Sequence, residues 1–452
     1  MSKAPLMLGV SGLRGIVGES LTPAVAYRYG LAVGQIIRET GKIDQLLIGR
    51  DSRPSGPELA ASVAAGLAEA GVRAVDLGIC STPAVGIAAK KLNSFGIVLT
   101  ASHNPTPWNG IKLIKPDGSA PRADEAQKVV DRFKQLADIA PPSSPERTQI
   151  DPSDFDASAE HAQAAALLID VQAVQARPFK VVVDSVCGAG GAEARALLEA
   201  LGVQLIHLHD EPTGAFPHEP EPLEQNLTEL AEAVRKHGAD AGFAQDPDAD
   251  RLAIIDNTGR YIGEECTLAL AARHRLQKGD VAVANLSTSR MIDDLAANVG
   301  ADVVRSAVGE ANVAAVMQQK HAVLGGEGNG GVIDPRLSHI RDSLVAMVLV
   351  LEHMAETDQT LAELRDSLPV YVMSKNKVPR PDRPFEQITE ALMQKLSDAR
   401  VDQTDGVRFD YANKWLHVRT SNTEPILRFI AEAPTLNEAE ALASEAAEAL
   451  EA

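Results

Sequence analysis

A joint between a helix and a strand recurs three times along the chain. In each copy, a glycine closes an alanine- and leucine-rich segment and an apolar, valine-containing strand follows, as expected where a helix ends before a strand. The three glycines are Gly71, Gly202 and Gly300, about 100 to 130 residues apart. That spacing is too long for a solenoid repeat and favours a duplicated α/β domain.

The 452 residues, 45% of them hydrophobic, can bury several cores, so we predict a division into domains. The expected fold class is α/β: three related mixed α/β domains at residues 1–150, 151–257 and 258–368, then a C-terminal α+β domain at residues 369–452. Three signals set these limits: a proline- and serine-rich stretch at 140–153, a hairpin signal at 256–259 and a change to alternating strands from 369 onward.

The net charge restricts the possible partners. The chain has 62 acidic and 43 basic side chains, a balance of −19, which opposes binding to nucleic acid or to an anionic membrane surface. The longest apolar run, residues 344–351, is too short to cross a bilayer and predicts a buried helix, and the N-terminus lacks a signal sequence. Cys80, Cys187 and Cys266 have no pairing pattern, so the predicted location is the cytoplasm. The oligomeric state is not indicated.

Ser102 follows an apolar strand. Residues 97–99 predict a buried strand that the segment His103-Asn-Pro ends, at the sheet edge where open α/β sheets bind ligands. Ser102 is therefore the first candidate nucleophile, with Lys112 as a nearby cation; an ordinary turn serine is the alternative. A serine hydrolase is not expected, because the G-x-S-x-G elbow is missing and strand alternation should turn His103 away from Ser102.

Three carboxylates alternate after a second apolar strand, in the segment Asp246-Pro-Asp248-Ala-Asp250-Arg251. On an extended loop such residues can point at one hard cation, and Mg²⁺ accepts oxygen ligands together with substrate phosphate. A solvated acidic turn is the alternative. An EF-hand is excluded, because the required glycine and distant glutamate do not follow.

A glycine-rich loop at residues 325–331 presents one carboxylate and one amide, Glu327 and Asn329. These groups suit sugar hydroxyls, since the carboxylate accepts hydrogen bonds and the amide both donates and accepts them. A dinucleotide-binding fingerprint is the alternative here and at residues 188–191, but neither stretch has the full sequence context. The chain also lacks a P-loop motif.

Basic residues mark three further loops. The segment Arg419-Thr-Ser-Asn-Thr-Glu-Pro-Ile-Leu-Arg428 has hydroxyls, amides and two arginines that could surround a phosphate, or it could be a simple turn between strands. Arg14 lies between two glycines and could contact phosphate. Arg50 and Asp51 are interpreted as an ion pair that locks a loop, in preference to an anion site.

Four of these motifs together resemble the α-D-phosphohexomutase superfamily: Thr100-Ala-Ser-His-Asn-Pro105, Asp246-Pro-Asp-Ala-Asp-Arg251, Gly326-Glu-Gly-Asn-Gly330 and Arg419-Thr-Ser-Asn-Thr-Glu-Pro425. Their order and spacing cover nearly the whole chain. The resemblance implies four domains around a central cleft, each contributing one of the four loops.

By this resemblance, Ser102 is the phosphoserine of the resting enzyme, and Mg²⁺ is held by Asp246, Asp248 and Asp250 with an oxygen of the Ser102 phosphate. Glu327 and Asn329 bind sugar hydroxyls. The residues implied to surround the transferring phosphoryl group are Arg14, Lys112 and Arg251, and those implied to anchor the other phosphate are Arg419, Ser421, Asn422, Thr423 and Arg428. The substrate is a hexose phosphate, and the intermediate is a hexose 1,6-bisphosphate that must turn end over end.

One departure from the family bears on proton transfer and substrate choice. Some members have a histidine after the sugar-binding loop, where this chain has Glu327-Gly-Asn-Gly-Gly331. Lys112 is therefore the preferred general acid or base, and His339 is a possible substitute. The loop resembles archaeal-type phosphoglucosamine, phosphomannose and phosphoglucose mutases and does not by itself choose among their substrates. Glucosamine phosphate is weakly favoured. A phosphomannomutase or phosphoglucomutase, a sugar-phosphate phosphatase and a non-catalytic sensor are the alternatives.

Overall fold

The structure of the protein is a computed structural model that describes residues 5–9, 12–41, 43–420 and 426–451. Its first region contains a seven-stranded sheet with the order β1-β2-β6-β5-β3-β4-β7. The strands are β1 Met7–Gly9, β2 Gly12–Ile16, β3 Gln45–Arg50, β4 Arg73–Ile79, β5 Phe95–Leu99, β6 Trp108–Ile114 and β7 Asp151–Pro152. The helices are α1 Pro23–Thr40, α2 Gly56–Glu69, α3 Thr82–Lys91 and α4 Ala123–Gln135.

Two four-stranded sheets follow. The second region consists of α5 Ala157–Ala166, α6 Val171–Gln175, β8 Lys180–Asp184, α7 Gly191–Ala200, β9 Gln204–Leu208, α8 Thr228–His237, β10 Ala241–Gln245 and β11 Leu252–Asp256. The third consists of α9 Glu264–Arg275, β12 Val281–Asn285, α10 Met291–Val299, β13 Asp302–Ser306, α11 Glu310–Lys320, β14 Leu324–Glu327, β15 Gly331–Ile333, α12 Ser343–Thr357 and α13 Leu361–Asp366.

The same four-strand unit recurs in the first three sheets, in the orders β4-β3-β5-β6, β9-β8-β10-β11 and β13-β12-β14-β15. In each unit the second strand of the order runs parallel to both its neighbours, and the last strand is antiparallel. The prediction of three related α/β domains is therefore confirmed.

The repeated glycines occupy equivalent places in this unit. Gly71, Gly202 and Gly300 precede β4, β9 and β13, and their φ angles are +77°, +68° and +75°. A side chain would strain the backbone in this left-handed region, which explains why the joint ends in glycine each time.

The fourth region is an antiparallel sheet with two helices, as predicted for the C-terminal domain. Its strands are β16 Val372–Pro379, β17 Arg400–Asp402, β18 Val407–Asp410, β19 Trp415–Thr420 and β20 Ile426–Ala433, and its helices are α14 Phe385–Lys395 and α15 Leu436–Glu451. Leu416 and Val418 belong to the core of this region, so His417 and Arg419 lie on the opposite face of β19. There the Ser287 hydroxyl of the third region is 2.9 Å from His417 Nδ1.

The second and third regions share one apolar core. Helix α12 packs against α5 and α6 of the second region as well as α9 of the third. One cluster of buried side chains includes Val183 and Leu197 together with Leu344 and Val348. Residues 344–351 are all buried, as predicted. Among the helices formed by the described residues, none is both long enough and apolar enough to be a membrane span.

Residues 140–153 contain more structure than a plain linker. They include a 3₁₀ turn at Pro145–Arg147 and the strand β7, which pairs in parallel with β4 through Val75 and Asp151. The stretch therefore adds an edge strand to the first sheet before the chain enters the second region. The domain limits after residues 150, 257 and 368 stay predictions.

Candidate active site

Ser102 lies in the tight turn after β5, and 2% of the residue is exposed to solvent. Its φ of +50° is in the left-handed region that residues other than glycine rarely adopt. Arg53 Nη2 donates to the Ser102 carbonyl oxygen at 2.8 Å and also contacts the carbonyl of Asn104. A strained backbone of this kind persists only where its neighbours hold it in place, and Arg53 supplies that support.

The ion pair of the adjacent loop differs from the predicted one. Asp51 is paired with Arg53, and both side chains are completely buried. The predicted ion pair does lock this loop, but the prediction that Arg50 is the partner of Asp51 was wrong, because the partner is Arg53. The pair fixes the guanidinium that supports Ser102.

His103 faces Ser102, contrary to the expectation from strand alternation. His103 Nδ1 lies 3.3 Å from Ser102 Oγ. The reason is the left-handed φ at Ser102, which breaks the alternation of side chains. Burial, with Arg251 and Arg14 nearby, lowers the pKa of His103 to about 3, so its ring is neutral at physiological pH.

The three carboxylates converge on Ser102. Asp246, Asp248 and Asp250 lie in the turn between β10 and β11, are completely buried, and each places an oxygen within 4.8 Å of the others. The Ser102 hydroxyl donates to Asp246 Oδ2 at 2.8 Å. The other oxygen of Asp246 accepts the amides of Asp250 and Arg251 at 3.1 Å each, which fixes the loop.

Two cations and a hydroxyl surround the carboxylates. Lys112 Nζ lies 2.6 Å from Asp248 Oδ2 and 3.4 Å from Asp250 Oδ2. Arg341 Nη2 donates to Asp250 Oδ2 at 2.6 Å, and the Thr82 hydroxyl donates to Asp248 Oδ2 at 2.6 Å. The remaining oxygens, Asp248 Oδ1 and Asp250 Oδ1, are buried and have no hydrogen-bond partner among the described residues.

The carboxyl groups differ in pKa because their neighbours differ. Burial, followed by the charges of Asp250 and Asp248, raises the pKa of Asp246 well above its usual range. Burial also disfavours ionisation of Asp248, but the Lys112 ammonium outweighs it, so the pKa of Asp248 is lowered. At Asp250 burial is outweighed chiefly by Arg341, and the pKa is again lowered. The cluster thus contains two ionised carboxylates and a third, Asp246, that ionises reluctantly.

This donor set fits a small, hard divalent cation. It offers only oxygen ligands, and two of these oxygens are buried without a hydrogen-bond partner in the described part of the chain. An added positive charge would also lower the raised pKa of Asp246. Unpaired buried oxygens are costly unless something binds them, and Mg²⁺ prefers such ligands.

A cavity of about 800 Å³ reaches from Lys112, which contacts two of the carboxylates, to the fourth region, and it is also lined by Arg14, Asn312, Asp405 and Arg419. Arg14 Nη1 donates to Asn104 Oδ1 at 2.7 Å, beside the turn of Ser102, and burial lowers its pKa. Arg251 Nε lies 3.8 Å from Asp250 Oδ1, and within the described residues it makes no hydrogen bond. The volume is sufficient for a sugar phosphate.

Glu327 is engaged by the protein itself. Its Oε1 accepts Asn285 Nδ2 at 2.7 Å and the Gly309 amide at 3.0 Å, and its Oε2 accepts Arg341 Nη1 at 2.8 Å. Asn329 differs, because its Oδ1 is buried and lacks a partner in the described part of the chain. Of the two predicted sugar-binding groups, Glu327 is therefore largely occupied by protein donors, whereas Asn329 Oδ1 is a buried acceptor without a partner among the described residues.

The predicted phosphate loop is only partly described. Ser421, Asn422 and Thr423 lie outside the described residues. Arg419 on β19 is directly opposite Arg428 on β20, so both side chains lie on one face of the sheet. Arg419 Nη1 is 3.6 Å from Asp405 Oδ2, and Arg428 is exposed.

His339 does not join the cluster. Its backbone pairs with Ser119, and the charged groups that act on its pKa are Asp117, Lys90 and Lys115. Lys112 does reach the cavity, but the neighbouring carboxylates outweigh its burial and raise its pKa, so it is an ammonium ion in this arrangement. An ammonium ion suits phosphate binding and proton donation better than proton abstraction.

Three residues that hold the cluster were missed. Arg341 connects Asp250 and Glu327 to Glu310, Thr82 donates to Asp248, and Arg53 supports Ser102. Arg53 lies in the loop for which an ion pair was predicted between Arg50 and Asp51. Thr82-Pro83 is typical of a helix start. For Arg341 the one available signal was a cation just before the buried helix α12.

Four family models match the chain in sequence order. The alpha/beta/alpha domains I, II and III of phosphoglucomutase/phosphomannomutase match residues 5–139, 159–259 and 263–371. The phosphoglucomutase/phosphomannomutase C-terminal domain matches residues 375–449. The matches together include strands of all four sheets.

Full-length relatives are also similar. A phosphoglucomutase/phosphomannomutase of Thermococcus kodakarensis is 36% identical over 438 residues, which cover 94% of each chain. A "probable phosphoglucosamine mutase" of Methanococcoides burtonii is 35% identical, over 94% of this chain and 95% of the relative. The crystal structure of a phosphoglucomutase/phosphomannomutase family protein from Burkholderia thailandensis has a TM-score of 0.83 and 28% identity, covering 98% of both chains.

Proposed function

The chain belongs to the phosphoglucomutase/phosphomannomutase family of phosphohexomutases, and from that membership we propose that it moves a phosphoryl group between the 6- and 1-positions of a hexose through Ser102 and a bound Mg²⁺. As a phosphohexomutase it is an isomerase, an intramolecular phosphotransferase. The observation that supports the proposed route is the 2.8 Å contact of the Ser102 hydroxyl with Asp246, inside a buried cluster of three carboxylates beside the cavity.

In the proposed resting enzyme Ser102 carries the phosphoryl group. Asp246, Asp248 and Asp250 would hold Mg²⁺, which supplies charge neutralisation to the phosphate. Arg14, Lys112 and Arg251 provide fixed positive charge where the phosphoryl group passes between oxygens. Because the Ser102 backbone is held by Arg53, its oxygen is positioned before the substrate arrives.

Lys112 is the proposed proton donor and acceptor. Its raised pKa makes the ammonium form the starting state, so Lys112 would protonate the Ser102 oxygen as the phosphoryl group leaves for the sugar. The neutral amine formed by that donation would take up the proton that the attacking sugar hydroxyl loses. In the second half of the cycle Lys112 would likewise protonate the leaving sugar oxygen and take up the proton of the Ser102 hydroxyl.

The second transfer requires the 1,6-bisphosphate to turn end over end in the cavity. We assign the phosphate that is not being transferred to Arg419 and Arg428 with Ser421, Asn422 and Thr423. Arg419 and Arg428 are opposite one another on β19 and β20. A pair of guanidinium groups can bind either phosphate of the bisphosphate without contacting the sugar ring. The bisphosphate also serves as the activator that restores a dephosphorylated Ser102.

Glucosamine phosphate is our weakly favoured substrate, with mannose and glucose phosphates as alternatives. The buried Asn329 Oδ1 without a partner in the described residues could accept a hydrogen bond from an ammonium or a hydroxyl group. The substrate choice rests on the Glu327-Gly-Asn-Gly-Gly331 sequence and on the relatives' names rather than on this contact.

The test is positional exchange with each hexose 1- and 6-phosphate, with Mg²⁺ and trace bisphosphate present. We expect exchange with the unmodified chain, none with Ser102→Ala, and a phosphoryl group in the intact mass that is missing from that variant. Ser397→Ala, at an exposed position, is the matched control and should behave as wild type. Full activity in Ser102→Ala, or phosphate release without exchange, would overturn the proposal.

A further inference from the structure

We propose that Asp184, His209 and His218 form a second metal site, which binds a divalent transition-metal ion of the zinc type. Asp184 ends β8, and His209 follows β9, whose carboxyl end is adjacent because β8 and β9 are parallel. One ligand atom from each of the three residues lies within 4.8 Å of the others. The Asp184 side chain is 2% exposed and each histidine side chain 19%, so the cluster is held by the protein but reachable from solvent.

The three side chains already lie nearly as close together as ligands that share one ion. His209 Nδ1 is 3.1 Å from Asp184 Oδ1, and His218 Nε2 is 3.0 Å from Asp184 Oδ2. Zinc takes nitrogen and carboxylate oxygen at about 2.0–2.2 Å, so two such ligands on one tetrahedral ion lie roughly 3.3–3.6 Å apart, and these atoms would separate by a few tenths of an ångström when the ion binds. The two rings are nearly perpendicular, at 70°, and their centroids are 5.8 Å apart, so they approach the carboxylate from different directions.

In each histidine, the ring nitrogen that points away from Asp184 affects whether the other nitrogen faces the carboxylate with a proton or with a lone pair. His218 Nδ1 is 2.8 Å from the Glu219 carbonyl oxygen, which can only accept, so this nitrogen bears the proton. His209 Nε2 is 3.4 Å from the carboxylate of Glu229. Metal-binding histidines characteristically donate their other N–H to a carbonyl or a carboxylate in this way.

A neutral ring with its outer nitrogen protonated turns a lone pair toward Asp184. Nitrogen lone pairs and carboxylate oxygens at about 3 Å repel unless positive charge lies between them. The contact is satisfied either by protons on His209 Nδ1 and His218 Nε2, which then donate to Asp184, or by one cation coordinated by all three side chains. A single divalent ion satisfies the three ligands together, and the Val186 amide already orients Asp184 Oδ1 at 2.9 Å.

The ligand types distinguish this cluster from the carboxylates beside Ser102. Two imidazoles and one carboxylate favour Zn²⁺ and similar ions over Mg²⁺, whereas the Asp246 cluster offers oxygen alone. The two sites should therefore be separable by metal within one chain.

The position of the site suggests a structural consequence. His218 lies in the loop that carries Gly214 and Phe216 to the first region: the Thr106 hydroxyl approaches the Gly214 carbonyl at 3.5 Å, and the Arg53 guanidinium lies 5.0 Å from the Phe216 ring centroid. Arg53 in turn supports the Ser102 turn. An ion bound by His218, Asp184 and His209 would anchor this loop to the ends of β8 and β9.

The experiment uses the full chain, freed of metal by a chelator and kept in excess Mg²⁺. Zn²⁺ and Co²⁺ are titrated, with the bound amount measured by elemental analysis and the Co²⁺ coordination read from its visible absorption. We expect one ion per chain, an absorption typical of nitrogen ligands, and a higher unfolding temperature with Zn²⁺. His209→Gln and His218→Gln should each weaken binding at least about tenfold.

Two controls locate the ion. His237→Gln, at an exposed helix end, should bind as wild type, and Asp248→Asn should also retain the ion because it alters only the oxygen cluster. Loss of Zn²⁺ in Asp248→Asn, wild-type affinity in both histidine variants, or a Co²⁺ spectrum typical of oxygen ligands alone would each overturn the proposal. The Co²⁺ spectrum of the unmodified chain decides the matter even if a variant does not fold.

Discussion

The two ends of the candidate active site are built differently. At the Ser102 end three carboxylates are completely buried, and Lys112 and Arg341 hold two of them, Asp248 and Asp250, at distances down to 2.6 Å. At the other end, Arg428 is exposed, and among the described residues the ion pair of Arg419 is a long contact of 3.6 Å to Asp405. The first end is positioned before a ligand arrives, whereas the described part of the second holds its cations less tightly.

This contrast agrees with what the proposed reaction asks of each end. Phosphoryl transfer needs oxygens and charges fixed to within a fraction of an ångström, which burial and ion pairs provide. A site that holds two different phosphates in turn needs charge without a rigid fit. Variants at the two ends should therefore fail in different ways, and the following experiments are ordered from the largest expected effect to the smallest.

Asp246→Asn should reduce kcat at least about 10²-fold, because it removes a charged oxygen from the cluster and alters the partner of the Ser102 hydroxyl. Stability should be unchanged or higher, since the pKa of Asp246 is already raised by burial and by its neighbours. Steady-state kinetics and thermal unfolding measure the two effects. Asp154→Asn, at an exposed position, is the control, and near-normal turnover in Asp246→Asn would contradict the proposed role.

Arg341→Met should destabilise the fold by about 3–5 kcal/mol, because it leaves Asp250, Glu310 and Glu327 without their shared cation. Urea unfolding measures this loss. Arg400→Met removes a side chain that is 84% exposed and should change stability by less than about 0.5 kcal/mol. Equal effects of the two variants would mean that the buried end is no more tightly held than the surface.

His161 should make stability depend on pH. It is completely buried between Glu193 and Asp342, at 2.8 Å from each, and although burial opposes the charge, Asp342 and Glu193 raise its pKa to about 10. A raised pKa stabilises the fold fully below the unfolded value near 6.5, and the contribution is lost as pH rises toward 10. The free energy of unfolding of wild type relative to His161→Gln should therefore fall between these pH values.

The matched control for this titration is His237→Gln, which removes an exposed histidine and should follow the wild-type curve throughout. Parallel curves for wild type and His161→Gln would show that the buried histidine does not hold its extra proton.

Arg428→Gln should raise KM about tenfold while kcat and stability change little, because an exposed guanidinium contributes mainly when it binds phosphate. Arg400→Gln, on the same sheet, should leave KM unchanged. A fall in kcat as large as that of Asp246→Asn would remove the distinction between the two ends.

Much of the fold could be predicted from the sequence because it depends on local rules. A glycine in the left-handed region ends each helix before β4, β9 and β13, and that requirement is visible at Gly71, Gly202 and Gly300. Likewise the loop of Asp246 follows an apolar run, so its place at a strand end could be read directly.

The contacts between distant segments could not be predicted. Arg341 reaches Asp250 across 91 positions, and nothing local to either residue encodes the pair. The His103 error has another cause: strand alternation does not extend into a turn where Ser102 has a positive φ. Likewise, choosing Arg50 over Arg53 as the partner of Asp51 required side-chain directions that adjacency in sequence does not provide.

The position of α12 bears on how the chain can be divided. This helix completes a core that belongs to both the second and the third regions, so a fragment that stops before Ser343 would expose the apolar partners of α12 to water. Limited proteolysis should accordingly release these two regions as one resistant piece rather than two. The unit that repeats along the sequence is then shorter than the unit that unfolds cooperatively.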